Sequence, residues 1–130
     1  MGAPVRAVLD TSVVIATDVG RLDGELAVSA VTVAELHFGV LVARDGVARA
    51  ERLRRLTVLQ RKFDALAVDD SVAAAYGELA AAAVEAGRSP RPRSLALLIA
   101  ATARVHDARL YTRNIEDFVG TQDLVEVVAV

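Results

Sequence analysis

A chain of 130 residues suits a single domain and is long enough to bury a core without staples. At 54% hydrophobic but only 4% aromatic, that core is built from Ala, Val, Leu and Ile, and a disordered tail is excluded. The absence of cysteine excludes a disulfide framework, a thiolate zinc site and a cysteine nucleophile, while a net charge of -2 is too acidic for a DNA-coating protein but leaves room for a local basic surface.

The first apolar run, Ala7-Val8-Leu9, stops abruptly at Asp10 and reads as a buried strand that delivers one carboxylate at its C-terminal end. Thr11–Thr17 follows as a short helix, so a second reading of Asp10 is as the N-cap of that helix. Asp18–Gly24 holds two glycines and two aspartates and reads as a turn. Leu26–Ser29 alternates toward strand. Ala30–Ala43 is a helix with Leu36, Val40 and Ala43 at helical spacing, interrupted by Glu35. There an unpaired buried charge would be costly, or the face is simply exposed.

Arg44-Asp45-Gly46 breaks the pattern, and Val47–Phe63 is the clearest amphipathic helix. Its apolar stripe is Ala48, Leu53, Leu56 and Leu59, and its other face carries Arg49, Arg52, Arg54, Arg55, Arg61 and Lys62. Ala65–Val68 is a strand candidate. Asp69, Asp70 and Ser71 offer caps for a helix over Val72–Ala86, which ends at Gly87. Arg88–Arg93 has two prolines and three arginines, which predicts a basic loop. Leu95–His106 is apolar almost all round and reads as a central buried helix. Leu110-Tyr111 is a brief strand, with a turn of helix ending at Phe118 and a final strand within Leu124–Val130. Strands and helices alternate with no tight hairpin, so the fold class is α/β, with a short, mainly parallel sheet flanked by helices on both faces.

No run is long enough to span a membrane, and Arg6 and Asp10 rule out a signal peptide in the first ten residues. Met1-Gly2 lacks the Ser or Thr at position 6 that the myristoylation pattern needs, so no membrane partner is expected and a cytoplasmic location is. There is no G-x-S-x-G elbow, no Gly-rich phosphate loop and no H-E-x-x-H pair; His37 and His106 read as surface or capping residues. What remains is a set of carboxylates at element ends and inside an apolar helix: Asp10, Glu35 and Asp117. Asp117 has the alternative role of a helix-start acid favoured by the dipole.

In order along the chain these acids stand in Leu9-Asp10-Thr11-Ser12, in Val31-Thr32-Val33-Ala34-Glu35-Leu36, and in Tyr111-Thr112-Arg113-Asn114 with Glu116-Asp117-Phe118. Between the last two lies Leu97-Leu98-Ile99-Ala100-Ala101-Thr102-Ala103. With these four motifs the chain, from about Val5 onward, resembles the PIN-domain ribonuclease toxins of the VapC type. The resemblance implies a PIN-like α/β/α sandwich over residues 1–130 and an acidic site that binds Mg²⁺, or Mn²⁺, and hydrolyses RNA phosphodiesters. It implies Asp10, Glu35 and Asp117 as metal ligands and catalytic acids, with Ser12, Thr112 and Asn114 in support. It also implies a cognate VapB-type antitoxin, docking on the Val13–Ala16 and Ala34–Ala43 helices, and a homodimer. Arg52, Arg55, Arg91 and Arg93 are candidates for RNA phosphates, because the chain has too few aromatics for a stacking platform.

One motif departs from the family. Its third acid stands three residues before the Ile of the I-A-A run, and here that position is Ala96. No acid lies between Arg88 and His106, and Asp107 is eleven residues on, about three helical turns or ~16 Å, too far to substitute. Two histories produce Ala96: an Asp→Ala change made to tame a toxic nuclease, which the otherwise intact flanking motif favours, or a natural variant. Either way metal binding and rate are expected to be impaired. The alternatives are a catalytically inactive PIN-like binding module and a PIN nuclease of RNA maturation, the latter disfavoured by the lack of an appended domain.

Overall fold

The computed structural model describes residues 5–130. Met1 and Gly2, on which the myristoylation reading rests, lie outside them. Eleven elements follow one another: β1 Arg6–Leu9, α1 Thr11–Val14, β2 Glu25–Ala27, α2 Ala30–Leu41, α3 Gly46–Lys62, α4 Asp70–Glu85, a 3₁₀ turn Arg91–Arg93, α5 Ser94–Val105, β3 Arg109–Thr112, a second 3₁₀ turn Ile115–Phe118, and β4 Val127–Ala129. The strands form one sheet in the order β2-β1-β3-β4, every pair parallel. Helices cover both faces, as the α/β/α reading requires.

Alternation along β1 divides the core in two. Val8 faces Val72, Leu79, Leu97 and Phe118, beneath α4 and α5. Ala7 and Leu9 face Val13, Val28, Leu59 and Tyr111, beneath α1 and α3. The central helix α5 buries Leu97, Ile99, Ala100, Ala101, Thr102 and Ala103, as its all-round apolar sequence predicts. Its alanines let it lie close against α4, which buries Val72, Ala75, Leu79 and Ala83.

Several boundaries differ from the sequence reading, each for a local reason. β2 ends at Ala27 because Ser29 is taken as the cap of α2, where its Oγ accepts the Val31 N–H at 3.0 Å. The first helix stops at Val14; beyond it the chain runs into the glycine-bearing turn without a continuing apolar stripe. Ala65–Val68 forms no strand. Only Leu66 is drawn in, bridging to Ser29, while Ala65, Ala67 and Val68 are exposed. A single inward side chain is too little to hold an edge strand. Along α3 the buried stripe is Leu56 and Leu59; Leu53 is half exposed. The basic loop closes into a 3₁₀ turn at Arg91–Arg93, with proline in its first turn. Thr121 accepts the N–H groups of Leu124 and Val125, so the last strand begins only at Val127.

Candidate functional site

β1 and β3 lie side by side at the centre of the sheet, Leu9 paired with Tyr111, so their C-terminal ends place Asp10 and Thr112 together. Asp10 is 5% exposed and precedes α1 in an extended conformation. Its backbone carbonyl accepts from Val13 and Val14, but its side chain makes no capping bond. Instead Oδ2 accepts from Thr112 Oγ1 at 2.8 Å and from Ser12 Oγ at 2.7 Å. Asp10 is therefore not a side-chain helix cap. Two hydroxyl donors offset the burial of its charge.

Those hydroxyls are themselves held. Ser12 Oγ accepts the Arg113 N–H at 3.0 Å, and Thr112 Oγ1, fully buried, accepts the Asn114 N–H at 3.0 Å. Each therefore has an acceptor role on one side and gives its single proton to Asp10 on the other. Asn114 takes part through its backbone N–H, and its side chain is exposed.

Glu35 is half-buried on α2 and is held separately. Its Oε1 accepts from Thr11 Oγ1 at 2.8 Å, and Thr11 Oγ1 lies 2.9 Å from Thr32 Oγ1. With Thr11's proton on Glu35, Thr32 donates to Thr11. Thr11 and Thr32 escape a reading that looks for acids alone. Their signal was the three-residue spacing of Thr32 and Glu35, which makes them neighbours on one helix face.

Asp117 sits in the second 3₁₀ turn, its side chain 36% exposed. Burial pushes its carboxyl above the usual carboxylate range. Glu116 adds to this, the Arg93 guanidinium opposes it, and the Asp10 charge adds again. Asp117 thus shares an electrostatic neighbourhood with Asp10 at the sheet edge. Its ion-pair partner is Arg93, with Nε 3.8 Å from Oδ1. Ala96, in the first turn of α5, is half-buried against the core and offers no oxygen; that turn carries no acid.

Among the described residues no group of three His, Cys, Asp or Glu side chains is arranged to hold a metal ion. The three predicted acids therefore do not form a ready-made carboxylate cage. What is present is oxygen-only and anionic, with Asp10 oriented through one oxygen. That donor set fits Mg²⁺, which keeps several waters and takes only one or two carboxylates.

The basic candidates divide between two places. Arg52 and Arg55 line a groove of about 950 Å³ that runs past Glu35 and Thr11, with an apolar floor that includes Leu9, Leu36 and Phe63. Arg52 is tied down by its bond to the Gly39 carbonyl at 2.7 Å. Arg91 is exposed, and Arg93 is at Asp117. Of the segments expected to meet a partner, Ile15, Phe38, Leu41 and Val42 are exposed, whereas Val13, Val40 and Ala43 belong to the core. His37 is exposed and His106 caps α5. No helix among the described residues is long and apolar enough to cross a membrane.

Residues 7–121 match the family described as the PIN domain. The chain is 37% identical to Ribonuclease VapC5 of Mycobacterium tuberculosis (strain ATCC 25618 / H37Rv), over 78% of each protein. It is 35% identical to Ribonuclease VapC4 of the same organism, over 96% of this chain and 97% of that one. Among solved structures it is similar to VapBC-5 of Mycobacterium tuberculosis, a member of the VapBC family of toxin–antitoxin systems. The TM-score is 0.82 at 34% identity, over 98% of both chains.

Proposed function

The chain belongs to the PIN-domain family, in its VapC type, and from that premise we propose that it is the toxin of a type II toxin–antitoxin pair, a Mg²⁺-dependent endoribonuclease slowed by the alanine at position 96. The observation that carries the reading is the Asp10 carboxylate. It occupies a helix N-cap position, forgoes the capping bond, and is oriented by Ser12 and Thr112 instead.

Asp10 would hold the cation, with Glu35 and Asp117 directly or through water. The chemistry a bound divalent cation supplies is activation of water and neutralisation of charge on the leaving oxygen. The chain's own part is positional. Ser12 and Thr112 donate to Oδ2 of Asp10 and so would hold the carboxylate in place for a cation. Thr11 fixes Glu35 in the same way through Oε1. Thr32 keeps Thr11 oriented from the core, where it is fully buried. Arg93 offsets part of the negative charge at Asp117.

The groove supports a VapB-type antitoxin as partner. Its apolar floor and its rim of Arg52, Arg54, Arg55 and Lys62 suit an amphipathic segment that carries acids. A homodimer completes the proposal. The missing carboxylate and the Arg93–Asp117 pair also favour a second reading, a PIN-like module that binds without cutting.

RNA cleavage by the chain and by Ala96→Asp, each with Mg²⁺ and with EDTA, tests the proposal. Restoring the acid is expected to raise the Mg²⁺-dependent rate by about 10- to 100-fold or more, the scale seen when groups supporting a metal site are lost. Equal rates would remove position 96 from the account. Cleavage undiminished by EDTA would remove the metal, and no cleavage by either form would favour the binding module.

A further inference from the structure

The acids of the sheet edge are held in two different ways. Hydroxyl groups donate to Asp10 and Glu35 and leave their negative charge in place. Beside Asp117 stands a cation instead: Arg93 Nε lies 3.8 Å from Oδ1, within ion-pair range but longer than a hydrogen bond. That nitrogen is buried and has no hydrogen-bond partner among the described residues, so charge rather than a shared proton links the two groups. The guanidinium is fixed by its own turn. Nη1 donates to the Ser89 carbonyl at 2.8 Å, and Pro92 stiffens the 3₁₀ turn Arg91–Arg93. Its positive charge therefore stays at the edge whether or not Asp117 answers it. Glu116 and Asp10 act on Asp117 with the opposite sign, while Arg88, whose Nη2 donates to the Glu116 carbonyl at 3.1 Å, acts with the same sign as Arg93. The first turn of α5 carries no acid, so nothing within that turn competes with Asp117 for Arg93.

We propose that Arg93 is a built-in counter-cation of the acidic edge, neutralising Asp117 in the metal-free protein and opposing the binding of a divalent cation there. The cation enters on the metal-dependent reading proposed above, on which this inference rests. A divalent ion arriving beside Asp117 meets a fixed positive charge a few ångströms from the carboxylate. Repulsion at that range, partly screened by water, weakens its binding by about tenfold. In exchange, the pair stabilises the metal-free edge, where the carboxylates would otherwise repel one another. The chain accordingly needs a higher Mg²⁺ concentration than its acids alone would require.

Calorimetric titration of the metal-stripped chain with Mn²⁺ reads this directly. Arg93→Gln should tighten Mn²⁺ binding about tenfold, and Arg93→Met, which keeps the packing of the stem and serves if Arg93→Gln misfolds, should do the same. Arg93→Lys should stay within about threefold of the parent, because the charge is kept. Arg44→Gln removes one charge from an exposed residue between α2 and α3 and should move the affinity by less than about twofold. Thermal melts give a second readout. In EDTA both uncharged variants should melt below the parent, and Mn²⁺ should raise their melting points by more than it raises the parent's. An arginine that only supported the fold would weaken metal binding when removed. Unchanged or weaker Mn²⁺ affinity in both Arg93→Gln and Arg93→Met, or an equal gain in Arg44→Gln, would overturn the proposal and leave the metal site standing. No Mn²⁺ binding by the parent, by these variants or by Ala96→Asp would overturn the metal-dependent reading along with it.

Discussion

Thr112→Val removes one hydroxyl and keeps the shape of the side chain, so it isolates the bond that orients Asp10. Thr112 is fully buried, donates to Asp10 Oδ2 at 2.8 Å and accepts from the Asn114 N–H at 3.0 Å. The first bond is to a charged group in a site that is 5% exposed, a class worth about 1.5–3 kcal/mol. The second ends on an exposed residue, where water can replace the lost acceptor, so it adds little. A loss of about 2 kcal/mol follows at neutral pH, read as a drop of roughly 1 M in the urea midpoint for a urea slope near 2 kcal/mol/M. The measurement is made in EDTA, so that no cation contributes. The double-mutant cycle with Asp10→Ala assigns the loss: without the carboxylate the hydroxyl has nothing to orient, and the coupling should be about 1.5 kcal/mol or more. Additive losses, or a single-mutant loss below about 0.5 kcal/mol, would refute the claim that Thr112 holds Asp10.

Three further outcomes are expected. Gly120 has φ +92°, and a Cβ there would lie 2.6 Å from Ala86 Cβ and 3.1 Å from the Ala82 carbonyl oxygen, so Gly120→Ala should destabilise by about 2 kcal/mol and Ala86→Gly should recover only part of it, both read in thermal melts. Asp117, held above the usual carboxylate range chiefly by burial, contributes stability that is fully present below its unfolded value and lost as pH rises through its folded value. Asp117→Asn should thus be the more stable form at neutral pH in EDTA, and its advantage should vanish near about pH 3 in urea titrations. Asp18 is the opposite case. The Arg113 guanidinium holds its carboxyl below the usual range, through bonds at 2.8 and 3.1 Å, so the pair contributes above the unfolded value and is lost as pH falls through the folded one. Arg113→Ala should raise the acid-unfolding midpoint, and should leave it unmoved in an Asp18→Asn background.

Much of the fold was legible because it rests on pattern. The apolar run that ends at Asp10 is a central strand, and the helix that is apolar all round is the buried α5. What escaped depended on single partners brought in from elsewhere. Ser29 looked like the end of a strand until its hydroxyl was seen to cap α2. Ala65–Val68 has strand-like residues, yet only Leu66 reaches the interior. The two roles of Asp10, cap or site acid, are not separable locally, because one of the two hydroxyls that hold its carboxylate belongs to a residue 102 positions away. The three acids stand out in the sequence by their places at element ends and inside an apolar helix. How they are held — by hydroxyls for Asp10 and Glu35, by an arginine for Asp117 — is a property of the assembled edge.

That separation bears on how the protein is made. Asp10 leaves the ribosome 102 residues before its chain-distant support, Thr112, which arrives with β3. At about 5–20 residues per second, the carboxylate waits several seconds or more for the strand that orients it. A nascent or truncated chain lacking β3 cannot assemble this edge. On the proposed ribonuclease reading such a chain is born unarmed, and the interval before β3 docks is time in which the proposed antitoxin could meet it first.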